Sequence, residues 1–216
     1  MIRDADLSDA NLRQAELTGA RLDDAVLTGA HLAATTLNGA VFWDGDLSNV
    51  IAPTADFTGA SVVGTKFTNA VLTDAVLVGA DVAQVDFGYA SMTGADLTGA
   101  LLMKAVLRHT QLEHAVLRGA NLEGADLTDA DLVGATLAEA DLTGARLGGS
   151  NLAHADLTDA DLAPADLTSA RGLVVGQLLK AHLTKDTRIP ARLASEQQVK
   201  DRIDKCEAAD EKAGPD

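Results

Sequence analysis

The sequence has one cysteine, four prolines, six aromatic residues and no long apolar run. Each shortage excludes something. A single thiol, Cys206, cannot close an intramolecular disulfide, which fits a reducing compartment. No stretch approaches the roughly 18 apolar residues of a membrane span, and only Met1 to Asp4 precede the first regular residue. Neither a span nor a leader peptide is therefore expected, and the protein reads as cytoplasmic. Nucleophile elbows, Gly-rich phosphate loops, clustered metal ligands and paired cysteines are all missing, so the chain reads as no enzyme, with no catalytic residue, metal or cofactor. Bases are scarce as well. Residues 1–170 carry 24 acids against 8 bases, a net of −16, while the remainder carries 8 acids against 9 bases, so the whole chain stands at −15. Such a surface argues against direct binding of nucleic acid or an anionic membrane and permits a protein partner with a basic groove.

What the chain has in abundance is a five-residue phrase, clearest in the stretch 125–147, ADLTDADLVGATLAEADLTGARL. With the register set on the central Leu, the phrase runs without insertion or deletion through 33 repeats from Leu7 to Leu167. Of the 33 centres, 25 are Leu; the others are Phe42, Ala52, Phe57, Val62, Phe67, Val82, Phe87 and Met92. Two residues before the centre, 26 of the 33 positions are Ala, with Thr35, Gly45, Val50, Thr65, Val85, Thr110 and Ser150 as the exceptions. A period of five matches neither the 3.6 of a helix nor the 2 of a strand. If Leu and Ala both point inward in every repeat, the chain must turn a corner about once per repeat, and a stack of short extended sides satisfies that.

The phrases Ala5-Asp6-Leu7, Ala10-Asn11-Leu12, Ala95-Asp96-Leu97 and Ala120-Asn121-Leu122 resemble the A(D/N)LXX pattern of the pentapeptide-repeat family. The resemblance covers residues 4–170 and implies an all-β fold: a right-handed quadrilateral β-helix with four repeats per coil. Thirty-three repeats then make about eight coils, and at about 4.8 Å between stacked strands the rod is roughly 40 Å long. The expected organisation is a β-helix over 1–170 followed by a C-terminal helical cap or dimerisation segment over 171–216.

Stacking twenty residues per coil allows the outer surface to be read as columns. One column runs Trp43, Val63, Ala83, Met103; another, two positions earlier, holds Val41 and Leu101 with Ser61 and Asp81 between them. The four Phe occupy centres and should point inward, whereas Trp43 and Tyr89 lie off the inward columns and should be exposed. Val41, Trp43, Val63, Leu101, Met103 and Tyr89 are the candidate interface, because an exposed apolar strip containing a Trp marks contact surfaces. The alternative is that the C-terminal segment folds back over the strip.

Several local irregularities carry expectations of their own. Val50-Ile51-Ala52-Pro53 places Ala at a centre and Pro after it, and a bulge or kink is expected there. Gly19, Gly39, Gly59, Gly79, Gly99 and Gly119 share one corner, which next reads Glu139 and Asp159, so a change of turn type is expected after Gly119. Lys104, Arg108, His109, His114 and Arg118, with Glu113 among them, form a basic band read as solvated surface rather than a metal site. The first coil should be partly covered by Met1 and Ile2 or by a partner chain. After Ala170, a short helix around Leu173–Leu179 should cap the rod and 184–192 should be a loop. A capping box at Ser195 and Gln198 should open a helix striped with Val199, Ile203 and Cys206, the candidate dimerisation residues, and the tail from Ala208 should be disordered.

Two non-enzymatic functions remain. The first is a protein-interaction scaffold of unassigned partner that uses the strip or the acidic sides. The second comes from the family resemblance, one branch of which comprises acidic dimeric rods that imitate duplex DNA, occupy the DNA-binding saddle of DNA gyrase and confer resistance to gyrase poisons. The chain is similar to that branch in rod length, ladder charge and C-terminal helices suited to a homodimer. It departs from it in lacking loop insertions and in carrying the basic band and the apolar strip. Under this reading Asp126, Asp131, Asp141, Asp156, Asp161 and Asp166 form the candidate acidic surface.

Overall fold

One repeat, Ala125–Asp129, shows why the phrase folds as it does, because all five of its backbone N–H groups find acceptors. The Asp126 N–H donates down the rod to Ala105 O (2.9 Å), whereas Leu127 and Asp129 donate up it to Arg146 O (2.8 Å) and Gly148 O (3.0 Å). The Ala125 N–H closes the preceding turn on Leu122 O (2.9 Å). That leaves Thr128, whose N–H donates to the Asp126 carboxylate at 3.1 Å. A buried backbone donor without a partner is costly, so this closure is the local reason for an Asp or Asn before the centre. The same bond recurs in many repeats, for example at Asp46, Asp56, Asp96, Asp141 and Asp166.

The computed structural model describes residues 4–213. Parallel bridges join residues twenty apart from Asp6 and Val26 through to Asn151 and Arg171, so four repeats complete a coil. The coil is a β-helix with four faces, which we number 1 to 4 after the centres Leu7, Leu12, Leu17 and Leu22. Centres and their Ala companions are buried from Leu22 onward, whereas Leu7, Leu12 and Leu17 in the first coil are only partly covered. The expected covering by Met1 and Ile2 lies outside the described residues.

The irregular third of the ladder is a matter of volume. Phe57 and Phe67, on opposite faces, meet edge to face at 5.9 Å between centroids, and Phe67 stacks on Phe87 at 5.3 Å. Four successive centres, Phe42, Leu47, Ala52 and Phe57, complete one turn of the chain and are all buried, so the small centre offsets the two large ones. No kink forms at Pro53. It follows the centre, at the one position whose N–H donates to no backbone carbonyl, and the Ala55 N–H still closes the turn on Ala52 O at 3.3 Å. Of the seven breaks in the Ala column, Thr35, Thr65 and Thr110 donate their hydroxyls to Leu12 O, Phe42 O and Phe87 O, so these buried polar groups are satisfied.

The expected change of turn type after Gly119 does not occur. Glu139 (φ 62°) and Asp159 (φ 57°) keep the positive φ of the glycines before them, and the corner residue of every repeat from Asp4 to Asp159 does the same. Position in the coil, rather than glycine, sets the turn.

Among the described residues three helices follow the ladder: the single-turn α1 (Val175–Leu178) and α2 (Ala191–Ala194), and the longer α3 (Gln197–Ala213). Pairing does not stop at the expected boundary of 170. Arg171 pairs with Asn151, and after one and then two extra residues His182 pairs with Asp161 and Arg188 with Asp166. The missing rung is supplied by Gln177, whose side-chain amide donates to Leu152 O (2.8 Å) and Ala155 O (2.9 Å) while its oxygen accepts the Val174 N–H (2.8 Å). The segment 184–192 is loop only as far as Pro190, because α2 begins at Ala191. The capping box at Ser195 does not form, since Ser195 ends α2 and its hydroxyl turns back to Arg192 O. The tail expected to be disordered from Ala208 continues as helix to Ala213.

Candidate functional site on face 4

Face 4 carries the apolar strip. Bridges stack Val41 on Ser61, Ser61 on Asp81 and Asp81 on Leu101, while the neighbouring column stacks Trp43, Val63, Ala83 and Met103. Trp43 is 49% exposed and Leu101 39%, whereas Ala83 is buried and Val41, Val63 and Met103 are half-buried. The C-terminal segment does not fold over the strip. Its described contacts are with the last coils, through Leu152, Ala155, Asp161, Leu162 and Asp166.

Trp43 is held in place from two directions. Its indole N–H donates to Ser61 Oγ at 2.8 Å, and the Arg21 guanidinium carbon lies 5.7 Å from the ring centroid, within cation–π range. Arg21 also donates to Asp23 Oδ2 at 3.1 Å. On the side facing the later coils, a cleft of about 280 Å³ is lined by Trp43, Asp44, Ser61, Val63 and Asp81. Sequence reading found the strip, with Ser61 in its column, but did not extend it to Arg21 or Asp44. The signal for Arg21 was its place one coil before Val41 in the same column, and that for Asp44 was its place next to Trp43 in the chain. Tyr89 does not join the strip: it lies on another column, 62% exposed and stacked on His109 at 4.7 Å.

The six candidate acids do not form one surface, because the register distributes them over all four faces. Asp126 and Asp166 fall on face 1, Asp131 on face 2, Asp156 on face 3, and Asp141 and Asp161 on face 4. Three are bridged by bases: Asp126 by Arg108 and Arg146, Asp166 by Arg188 at 2.9 Å, and Asp161 by His182 at 3.0 Å. Three of the six, Asp126, Asp156 and Asp166, have carboxyls held below the ordinary carboxylate value. Burial pushes Asp126 upward, but the Thr128 hydroxyl, Arg108, the Thr128 N–H and Arg146 outweigh it and hold the group at about 2. Asp156 is lowered by the Thr158 hydroxyl and N–H, and Asp166, despite desolvation, by Thr168 and Arg188.

The basic band is partly neutralised by later coils, with Arg108 on Asp126 and Arg118 on Glu139. Val199 is fully buried, Cys206 nearly so and Ile203 partly, all within the single chain. The stripe expected to dimerise therefore already packs in the chain's own cap, since 3.6 residues per turn aims those three side chains at the rod end. Among the described residues no group of three or more His, Cys, Asp or Glu could hold a metal ion, and no helix is long and apolar enough to cross a membrane.

Comparison with known proteins gives the family. The profile described as "Pentapeptide repeats" matches in eight copies over residues 5–51, 54–88, 83–119, 105–144 and 135–171. No curated protein gives a significant match. Among solved structures, HetL, a pentapeptide repeat protein involved in heterocyst differentiation regulation in Nostoc sp. strain PCC 7120, is 29% identical with a TM-score of 0.49, over 85% of this chain and 91% of its own. QnrB1, a plasmid-mediated fluoroquinolone resistance protein, is 16% identical with a TM-score of 0.45, over 90% of this chain and 92% of its own. A pentapeptide repeat protein of the Arabidopsis thaliana thylakoid lumen is 25% identical with a TM-score of 0.22, over 70% of this chain and 85% of its own. The matched repeats span more than half of the sequence, so the chain belongs to the pentapeptide-repeat family and its coil is the right-handed quadrilateral β-helix.

Proposed function

We propose that the protein is a non-enzymatic, cytoplasmic interaction scaffold whose partner docks on the strip of face 4. The observation that carries this reading is Trp43: half exposed, yet held by Ser61 on one side and Arg21 on the other. An aromatic anchor already fixed in one orientation loses little conformational freedom on binding, which is the character of interface hot spots. Val41, Val63, Leu101 and Met103 supply apolar contact around it. Affinity capture with the wild type and with Trp43→Asp, at matched melting temperatures, tests the proposal. Proteins retained by the first and lost by the second are expected; identical captured sets would overturn it.

A second reading, an acidic DNA mimic that binds DNA gyrase or another type II topoisomerase, draws support from the −16 net charge of residues 1–170. Distribution of the acids over four faces, with three of the six bridged by bases, weighs against it. A supercoiling assay decides: at micromolar concentrations a mimic inhibits gyrase or relieves quinolone inhibition, and a protein that does neither is not one.

A further inference from the structure

The cleft beside Trp43 differs from the rest of the strip in its chemistry. Trp43 and Val63 line it with apolar surface, and two of the five lining residues, Asp44 and Asp81, are carboxylates with no base among the other three. An apolar occupant would leave both carboxylates facing it without compensation. A planar cation could lie along the ring with its charge towards the acids and its stem against Val63. The protein already contains that arrangement once: Arg21 holds its guanidinium 5.7 Å from the same ring while donating to Asp23.

We infer that this cleft receives an arginine side chain of the partner protein, with Trp43 and the Asp44 and Asp81 carboxylates as its recognition groups; the inference rests on the docking reading above and names the chemistry of what docks. Arginine fits better than lysine because the guanidinium is flat, weakly hydrated and able to stack and donate hydrogen bonds at once. The indole is pinned by Ser61, so the ring does not reorient to admit the guest. The acids are also held: Asp81 accepts the Ala83 N–H at 3.3 Å, and the Asp44 carboxylate lies across Gly64, where no Cβ intervenes.

Trp43 is the single tryptophan of the chain, so its indole N–H resonance and its emission both report on the cleft. The full-length protein is titrated with acetyl-arginine amide and, separately, with acetyl-citrulline amide, a neutral analogue of nearly the same shape. A saturable shift of the indole resonance with the arginine compound is expected, weaker by about fivefold or more with citrulline, the order of one partly exposed charge pair. Asp44→Asn combined with Asp81→Asn preserves shape and acceptors, and should bring the arginine compound down to the citrulline level. No saturable shift, equal binding of the two compounds, or a double variant that binds arginine undiminished would each overturn the inference. If capture by the scaffold depends on Trp43 but not on the two acids, docking stands and the arginine assignment falls; if capture is independent of Trp43, the docking reading falls and takes the partner's arginine with it, even where the arginine compound binds.

Discussion

At the scale of the residue, the Asp before each centre has a structural duty. Its carboxylate accepts the otherwise unused N–H two residues on and often the Ser or Thr hydroxyl there, as at Asp6, Asp56, Asp126 and Asp166. Hydrogen bonds to the charged form favour it, which is why Asp6, Asp46, Asp56, Asp126, Asp156 and Asp166 all sit below the ordinary carboxylate value. A group whose folded value is depressed contributes stability above its unfolded value and loses it as pH falls through the folded one. For Asp126 that window runs from the ordinary 3.8 down to about 2. The melting temperature should therefore fall steeply below pH 4, and Asp126→Asn should be less stable at pH 7 yet show a shallower acid loss. Circular dichroism melts of both proteins from pH 7 to 2 check this, and parallel pH profiles would show that the carboxylate is not the titrating group.

At the scale of the element, α3 is fastened to the rod by a titratable link. His182 bridges Asp161 of the last coil through Nδ1 (3.0 Å) and Asp210 of α3 through Nε2 (3.0 Å). Desolvation lowers its pKa, but the two carboxylates outweigh that and raise it above 6.5. The link is fully present below pH 6.5 and is lost as pH rises through the higher folded value. Lys185, whose N–H meets Glu207, and Arg202, which donates to Ala181 O, hold α3 independently of that proton. Limited proteolysis should therefore release α3 faster at pH 8.5 than at pH 6, relative to a peptide control, with the ratio flattened in His182→Gln. An unchanged ratio in the variant would assign the pH effect elsewhere. Val199 and Cys206 hold the same helix by burial, so the cap weakens without detaching.

At the scale of the whole molecule, each coil contacts only its neighbours, and the net −16 of residues 1–170 is carried by a rod one coil wide. Self-repulsion along such a rod opposes its compact state, and the Debye length of about 10 Å at 0.1 M salt spans roughly two coils. Raising sodium chloride from about 0.02 M to 0.5 M should increase the melting temperature. A decrease would mean that the ion pairs at Asp126, Asp166 and Glu139 outweigh the repulsion. The partly covered layer of Leu7, Leu12 and Leu17 lies at the far end of the rod from α3.

The sequence by itself determined the coil. The phrase of small residue, Asp and Leu requires a corner in every repeat, since a period of five carries two inward positions; the resemblance to the pentapeptide-repeat family implied four corners per coil, and the columns that place Trp43 beside Val41, Val63, Leu101 and Met103 follow from that twenty-residue coil. Tertiary structure alone decided the rest. Which charges meet depends on side chains reaching between coils: Arg146 stacks on Asp126 at the twenty-residue spacing, whereas the Arg108 bridge to Asp126, and Arg21 against Trp43, cross between columns and could not be read from spacing. The outcome at Pro53 and at Glu139 depended on which backbone groups the turn leaves free and which φ it imposes, and local propensity reports neither. The fate of Val199, Ile203 and Cys206 turned on whether the rod end needed covering by its own chain. A periodic pattern specifies contacts that repeat; contacts made once, at the cap and in the cleft, are settled only when the coils are stacked.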